Sequence, residues 1–104
     1  MTFSERLLDL ALSIPPGRVT TYGQLAKAAG AGPLAARSVT AILSKYPNSK
    51  AIPWHRIVYA NGKVWLPEAN KEERIKMYAK EEIFLDKNNK IIDFEDLVFD
   101  FTEL

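Results

Sequence analysis

No cysteine occurs among the 104 residues, and histidine occurs once, as His55. The first absence excludes disulfides, thiolate metal sites and any thiol nucleophile. A lone imidazole excludes a multi-histidine metal centre, so neither a metal nor any other cofactor is expected. Long apolar runs are missing as well. None exceeds five residues, far short of a membrane span. The opening Met1-Thr2-Phe3-Ser4-Glu5 has no basic leader followed by an apolar run, so no secretion signal is read and a cytoplasmic location is expected. A chain of this length is expected to form one domain over residues 1–104, with a core large enough to fold but little stability to spare.

Acidic residues are absent from one long stretch. Between Leu10 and Pro67 there is no Asp or Glu, while Arg18, Lys27, Arg37, Lys45, Lys50, Arg56 and Lys63 all lie there. Residues 1–67 carry a net charge of +6 and residues 68–104 a net charge of −5, so a total of +1 conceals a strong asymmetry. A basic half is the electrostatic footprint of nucleic-acid binding, although a merely polarised surface has the same charge pattern.

Local signals divide the chain into short elements. Thr2 and Glu5 form a capping box ahead of Phe3, Leu7, Leu10, Ala11 and Ile14 at helical spacing. Pro15-Pro16-Gly17 ends that helix near Ser13. Thr21 and Gln24 form a second capping box for a helix through Leu25, Ala26 and Ala29, which Gly30 stops. Pro33 marks the start of a third helix, Leu34 to Lys45. Two short helices joined by a glycine-containing turn make a helix-turn-helix pattern inside the acid-free stretch.

Downstream, Asn61-Gly62 between Arg56–Tyr59 and Lys63–Leu66 predicts a hairpin. A fourth helix is expected over about Lys71 to Glu82, capped by Asn70, with Ile75, Tyr78 and Ala79 inward. A second hairpin follows, Ile83–Leu85 against Ile91–Phe94, and the tail from Glu95 to Leu104 is expected to pack back through its apolar residues.

Pro53-Trp54-His55-Arg56-Ile57-Val58 is the most unusual segment. A proline-stiffened turn delivers an indole, the sole imidazole and a guanidinium just before a strand. On its own this fits either a core anchor with a satisfied histidine or a functional site. No serine, cysteine or metal motif accompanies His55 to form a nucleophile–base pair. Arg37, in Ala35-Ala36-Arg37-Ser38, reads either as a solvated charge or as a cation that small neighbours allow close to another surface. Tyr22 reads either as a nucleic-acid contact or as a rim residue of the core.

Three segments in order and in register carry a resemblance. Ile14-Pro15-Pro16-Gly17-Arg18-Val19-Thr20-Thr21-Tyr22-Gly23-Gln24-Leu25-Ala26 resembles the opening of the DNA-binding domain of O6-alkylguanine-DNA alkyltransferases. Ala35-Ala36-Arg37-Ser38-Val39 resembles its recognition helix, and Pro53 to Val58 resembles its active-site motif Pro-Cys-His-Arg-Val-Val. Trp54 stands at the cysteine, the mark of the alkyltransferase-like proteins. The match runs from about residue 3 to residue 94.

The resemblance implies a mainly α fold with small β-hairpins, a winged helix-turn-helix-like alkyltransferase C-terminal domain. It implies minor-groove binding, with Thr21, Tyr22, Ala35, Ala36, Arg37 and Ser38 at the DNA. Arg37 matches the arginine that fills the place of an extruded nucleotide, and Tyr22 the tyrosine that helps rotate its phosphate. Trp54, His55, Arg56 and Tyr22 are then the lesion pocket, with Glu81 as the carboxylate behind His55. The implied partners are duplex DNA containing O6-alkylguanine and nucleotide excision repair proteins, with no membrane, and the chain is expected to be a monomer. Without the acceptor thiol, binding without turnover is expected.

The chain departs from the family pattern at Thr40, usually glycine, at Tyr46, where the enzymes' supporting asparagine falls, and at Trp65-Leu66-Pro67-Glu68, which lacks a basic residue common after the hairpin. Two other readings compete: a sequence-specific helix-turn-helix regulator, which leaves Pro53–Val58 without a purpose, and a hydrolase using His55 as base.

Overall fold

The computed structural model describes residues 2–103, apart from the side chains of Pro33, Leu34 and Glu103. Leu104, part of the tail expected to pack back, lies outside the described residues. Helix α1 spans Phe3–Leu12, and its start is set locally. The Thr2 hydroxyl accepts from the Glu5 N–H while the Glu5 carboxylate reaches back to Thr2. Helix α2 spans Tyr22–Ala28, with the Thr21 hydroxyl accepting from the Gln24 N–H at 3.0 Å. Gly30, at φ +96°, turns the chain out of it.

The third helix begins more tightly than expected. Residues Pro33–Ser38 form a 3-10 helix, and only Val39–Ser44 are α-helical (α3). Ser38 offers no side-chain cap, so the join is continuous.

The first hairpin needs the larger correction. Strand β2, Ile57–Val58, pairs in parallel with β1, Thr20–Thr21, and not along its length with residues 63–66. What remains of the hairpin is a three-residue loop. The Tyr59 N–H donates to the Lys63 carbonyl and the Gly62 N–H to the Tyr59 carbonyl. Gly62 alone takes the left-handed conformation, at φ +83°, and a Cβ there would meet the Phe94 ring at 2.9 Å. Lys63 instead bridges Lys90. The second hairpin forms as expected around a Leu85–Ile91 bridge, but Phe94 begins a short helix, α5, Phe94–Leu97.

The small sheet divides two cores. Successive residues of a strand face opposite sides. Ile57 therefore packs with Leu7, Ala11, Leu25, Val39 and Leu43 of the first three helices, and Val58 with Val19, Val64, Tyr78, Ile83 and Ile91. Burying each large aliphatic side chain stabilises by about 1.5–3 kcal/mol. The tail does pack back: Val98 pairs with Val19 and Phe99 is buried.

Helix α4, Lys71–Lys80, turns a different face inward than its apolar residues suggest. Ile75 is 43% exposed and Ala79 is exposed, whereas Tyr78 is buried and Arg74 half-buried. Arg74, Tyr78 and, just past the helix, Glu81 share one stripe at i,i+4 and i,i+3 spacing. Tyr78 and Glu81 hold the segment around His55, and Arg74 reaches Trp65.

Candidate nucleic-acid interface

His55 sits in a 3-10 turn, Trp54–Arg56, at the point where the chain enters β2. The residue is buried at 8% exposure. Its Nε2 lies 2.5 Å from Glu81 Oε2, and its ring meets the Tyr78 ring edge-on at 5.7 Å. The Tyr78 hydroxyl donates to the His55 carbonyl, which fixes the backbone as well. Burial raises the pKa of that phenol, keeping it a donor.

Glu81 is the hub. Besides His55, it accepts from Arg56 Nε at 3.0 Å and Nη2 at 2.8 Å, and from the Gly17 N–H at 2.9 Å. Burial opposes its ionisation, but the hydrogen bonds from Arg56, Gly17 and His55 outweigh that and hold its carboxyl down to about 2. For His55 the balance falls the other way. Burial lowers its pKa more than the neighbouring carboxylate raises it. The imidazole is therefore neutral near pH 7 and donates its Nε2 proton to Glu81, leaving Nδ1 as an acceptor.

Such a neutral, oriented imidazole suits a base that activates a nucleophile. The neighbouring side chain is Trp54, whose indole N–H is committed to the Ser49 carbonyl at 2.9 Å. Trp54 and His55 line a cleft of about 460 Å³, with Lys50, Arg74 and Met77 on its walls.

The structure distributes the expected site residues over more than one place. Trp54 and His55 share the cleft just described. Tyr22 lines a neighbouring cleft with Ala36, Arg37 and Thr40. The Arg56 side chain is spent on Glu81 and, through Nη1, on the Ile14 carbonyl at 3.0 Å, so it braces the turn. Thr21 is 7% exposed and its hydroxyl caps α2. Arg37 and Ser38 are exposed, and Ala35 and Ala36 half-buried, on the tight 3-10 stretch.

Arg18 also has an internal duty. Its guanidinium donates to the carbonyls of Leu97 and Val98 and lies 5.5 Å from the Phe99 ring centroid, stapling the tail to β1. Two of the seven cations of the acid-free stretch are thus consumed by the fold. Charge counting could not reveal that. Sequence reasoning also missed Arg74, which lies 5.3 Å from the Trp65 ring centroid. Its only signal was its place one turn before Tyr78. Among the described residues no group of three or more His, Cys, Asp or Glu is placed to hold a metal ion, and no helix is long and apolar enough to cross a membrane.

The helix pair, the motif turn and the imidazole–carboxylate bond together define a DNA-binding domain of alkyltransferase type. The model of the 6-O-methylguanine DNA methyltransferase DNA-binding domain matches residues 2–83, and the chain belongs to that family. It is 43% identical over 65 residues to the Escherichia coli DNA base-flipping protein, covering 62% of this chain and 50% of that one. The chain thus spans half the length of that relative. It is 35% identical over 89 residues to the DNA base-flipping protein of Vibrio parahaemolyticus, covering 86% of this chain and 88% of that one. The fold resembles S. pombe Atl1 in complex with damaged DNA containing O6-carboxymethylguanine, at a TM-score of 0.73 and 21% identity, over 94% of each chain.

Proposed function

We propose that this protein binds duplex DNA carrying an O6-alkylguanine, swings the modified nucleotide out of the stack and holds it at Trp54 without removing its alkyl group. The observation that carries this reading is the open cleft at Trp54 and His55. The imidazole–carboxylate arrangement beside it is that of an activated nucleophile, yet the nucleophile's place is taken by an indole. The names of the relatives, base-flipping proteins, and of a structural neighbour bound to alkylated DNA support the choice of ligand.

Extruding a base costs a few kcal/mol. Arg37 entering the duplex, phosphate contacts from the exposed lysines of the basic half, and stacking in the cleft offset that cost. The small side chains of Ala35, Ala36 and Ser38 let the backbone approach the minor groove. The protein acts as a monomer in the cytoplasm, and the long-lived complex marks the lesion for nucleotide excision repair. Titration of two duplexes differing only in one O6-methylguanine tests the reading. Submicromolar binding, at least about tenfold tighter for the modified duplex, is expected. Equal affinity for both removes the lesion role.

A further inference from the structure

A second cleft, of about 450 Å³, adjoins the first and is lined by Tyr22, Ala36, Arg37, Thr40, Tyr59 and Trp65. Tyr59 and Trp65 are 47% and 50% exposed, and the Tyr22 and Tyr59 rings lie 6.0 Å apart at 42°. Trp65 is held in place: the Arg74 guanidinium lies 5.3 Å from its ring centroid and donates to its carbonyl at 3.3 Å. Arg74 lines the Trp54 cleft, so the Trp65–Arg74 contact links the two clefts. No acidic side chain lines the second cleft, and its one charged residue is Arg37.

Exposed aromatic faces, with no carboxylate among the lining side chains, suit the face of a planar heterocycle. We infer that this cleft is a second nucleobase subsite, in which Tyr59 and Trp65 stack an unmodified base of the same DNA while the alkylated guanine occupies the Trp54 cleft. The choice of DNA rests on the function proposed above; the stacking role rests on the cleft itself. Every base has a π-face, so the subsite adds affinity without reading sequence.

The test couples protein and DNA changes. Trp65→Ala, and separately Tyr59→Ala, are titrated against O6-methylguanine duplexes in which the opposite base or either flanking base is replaced by an abasic site. At one of these positions, base removal is expected to weaken wild-type binding about tenfold and to have no further effect on Trp65→Ala. Trp65→Phe should keep most of the affinity. The same titrations on duplexes without the alkyl group separate the two ideas. Coupling with no lesion preference removes the lesion role and leaves the subsite standing. Unchanged affinity in both alanine variants, or strictly additive losses at every position, overturns the subsite.

Discussion

Glu81 Oε2 lies 2.5 Å from His55 Nε2, joining the end of α4 to the turn that precedes β2. The same carboxylate takes Arg56 and the Gly17 N–H, so one side chain ties together three segments far apart in sequence.

Removing that charge should therefore loosen the whole site. Glu81→Gln is expected to destabilise by about 3 kcal/mol, because Arg56 is left half-buried without its counter-ion. Chemical denaturation of both proteins at pH 7 measures the difference, and a loss within about 0.5 kcal/mol would show the hub to be energetically idle.

Acid should act on the same bond. Both folded-state shifts are downward, so each contribution is present above the unfolded pKa and is lost as pH falls. His55 contributes a loss beginning below pH 6.5, and Glu81 a further one between pH 4.5 and about 2. Thermal scans across that range should show a steadily falling Tm, with Glu81→Gln flatter below pH 4.5. A wild-type Tm constant from pH 7 to pH 3 would contradict both assignments.

Thr20 is fully buried, and among the described residues its hydroxyl has no hydrogen-bond partner. Leaving such a group unpaired costs about 1–3 kcal/mol. Thr20→Val should raise stability by about 1 kcal/mol, or about 4–8 °C in Tm for a domain of this size. A lower Tm would mean that the hydroxyl is satisfied.

Arg37→Ala separates insertion from phosphate contact. Loss of a phosphate contact alone weakens modified and unmodified duplexes alike and lowers the salt slope by about one. Insertion predicts a loss on the O6-methylguanine duplex several-fold larger than on its unmodified counterpart. Equal losses would return Arg37 to the role of a surface cation.

Trp54→Cys puts a thiol beside an imidazole already oriented by Glu81. Full methyl transfer is still not expected, because Tyr46, where the resemblance places the enzymes' asparagine, packs on the core of α1–α3 and lines a groove with Ser4 and Leu8. Transfer of labelled methyl at stoichiometric yield would show that the asparagine is dispensable here.

Local chemistry explains what was legible in the sequence. The caps at Thr2 and Thr21, the stop at Gly30 and the bridge between Leu85 and Ile91 depend on residues close along the chain. The pairing of Thr20–Thr21 with Ile57–Val58 does not, and two-residue strands are too short to carry a period. The inward stripe of α4 was legible only at Tyr78; Arg74 and Glu81, which complete it, are side chains that patterning assigns to solvent. Glu81 was placed behind His55 only through the family resemblance. That Arg18 and Arg56 face inward follows from carbonyls and a carboxylate that sequence spacing does not bring together.

The most direct measurement is a crystal structure of the protein with a duplex holding one O6-methylguanine. The modified guanine is expected outside the helix against the indole of Trp54, its methyl group intact, with Arg37 in the vacated position. A guanine still stacked in the duplex, or one that has lost its methyl group, would contradict it.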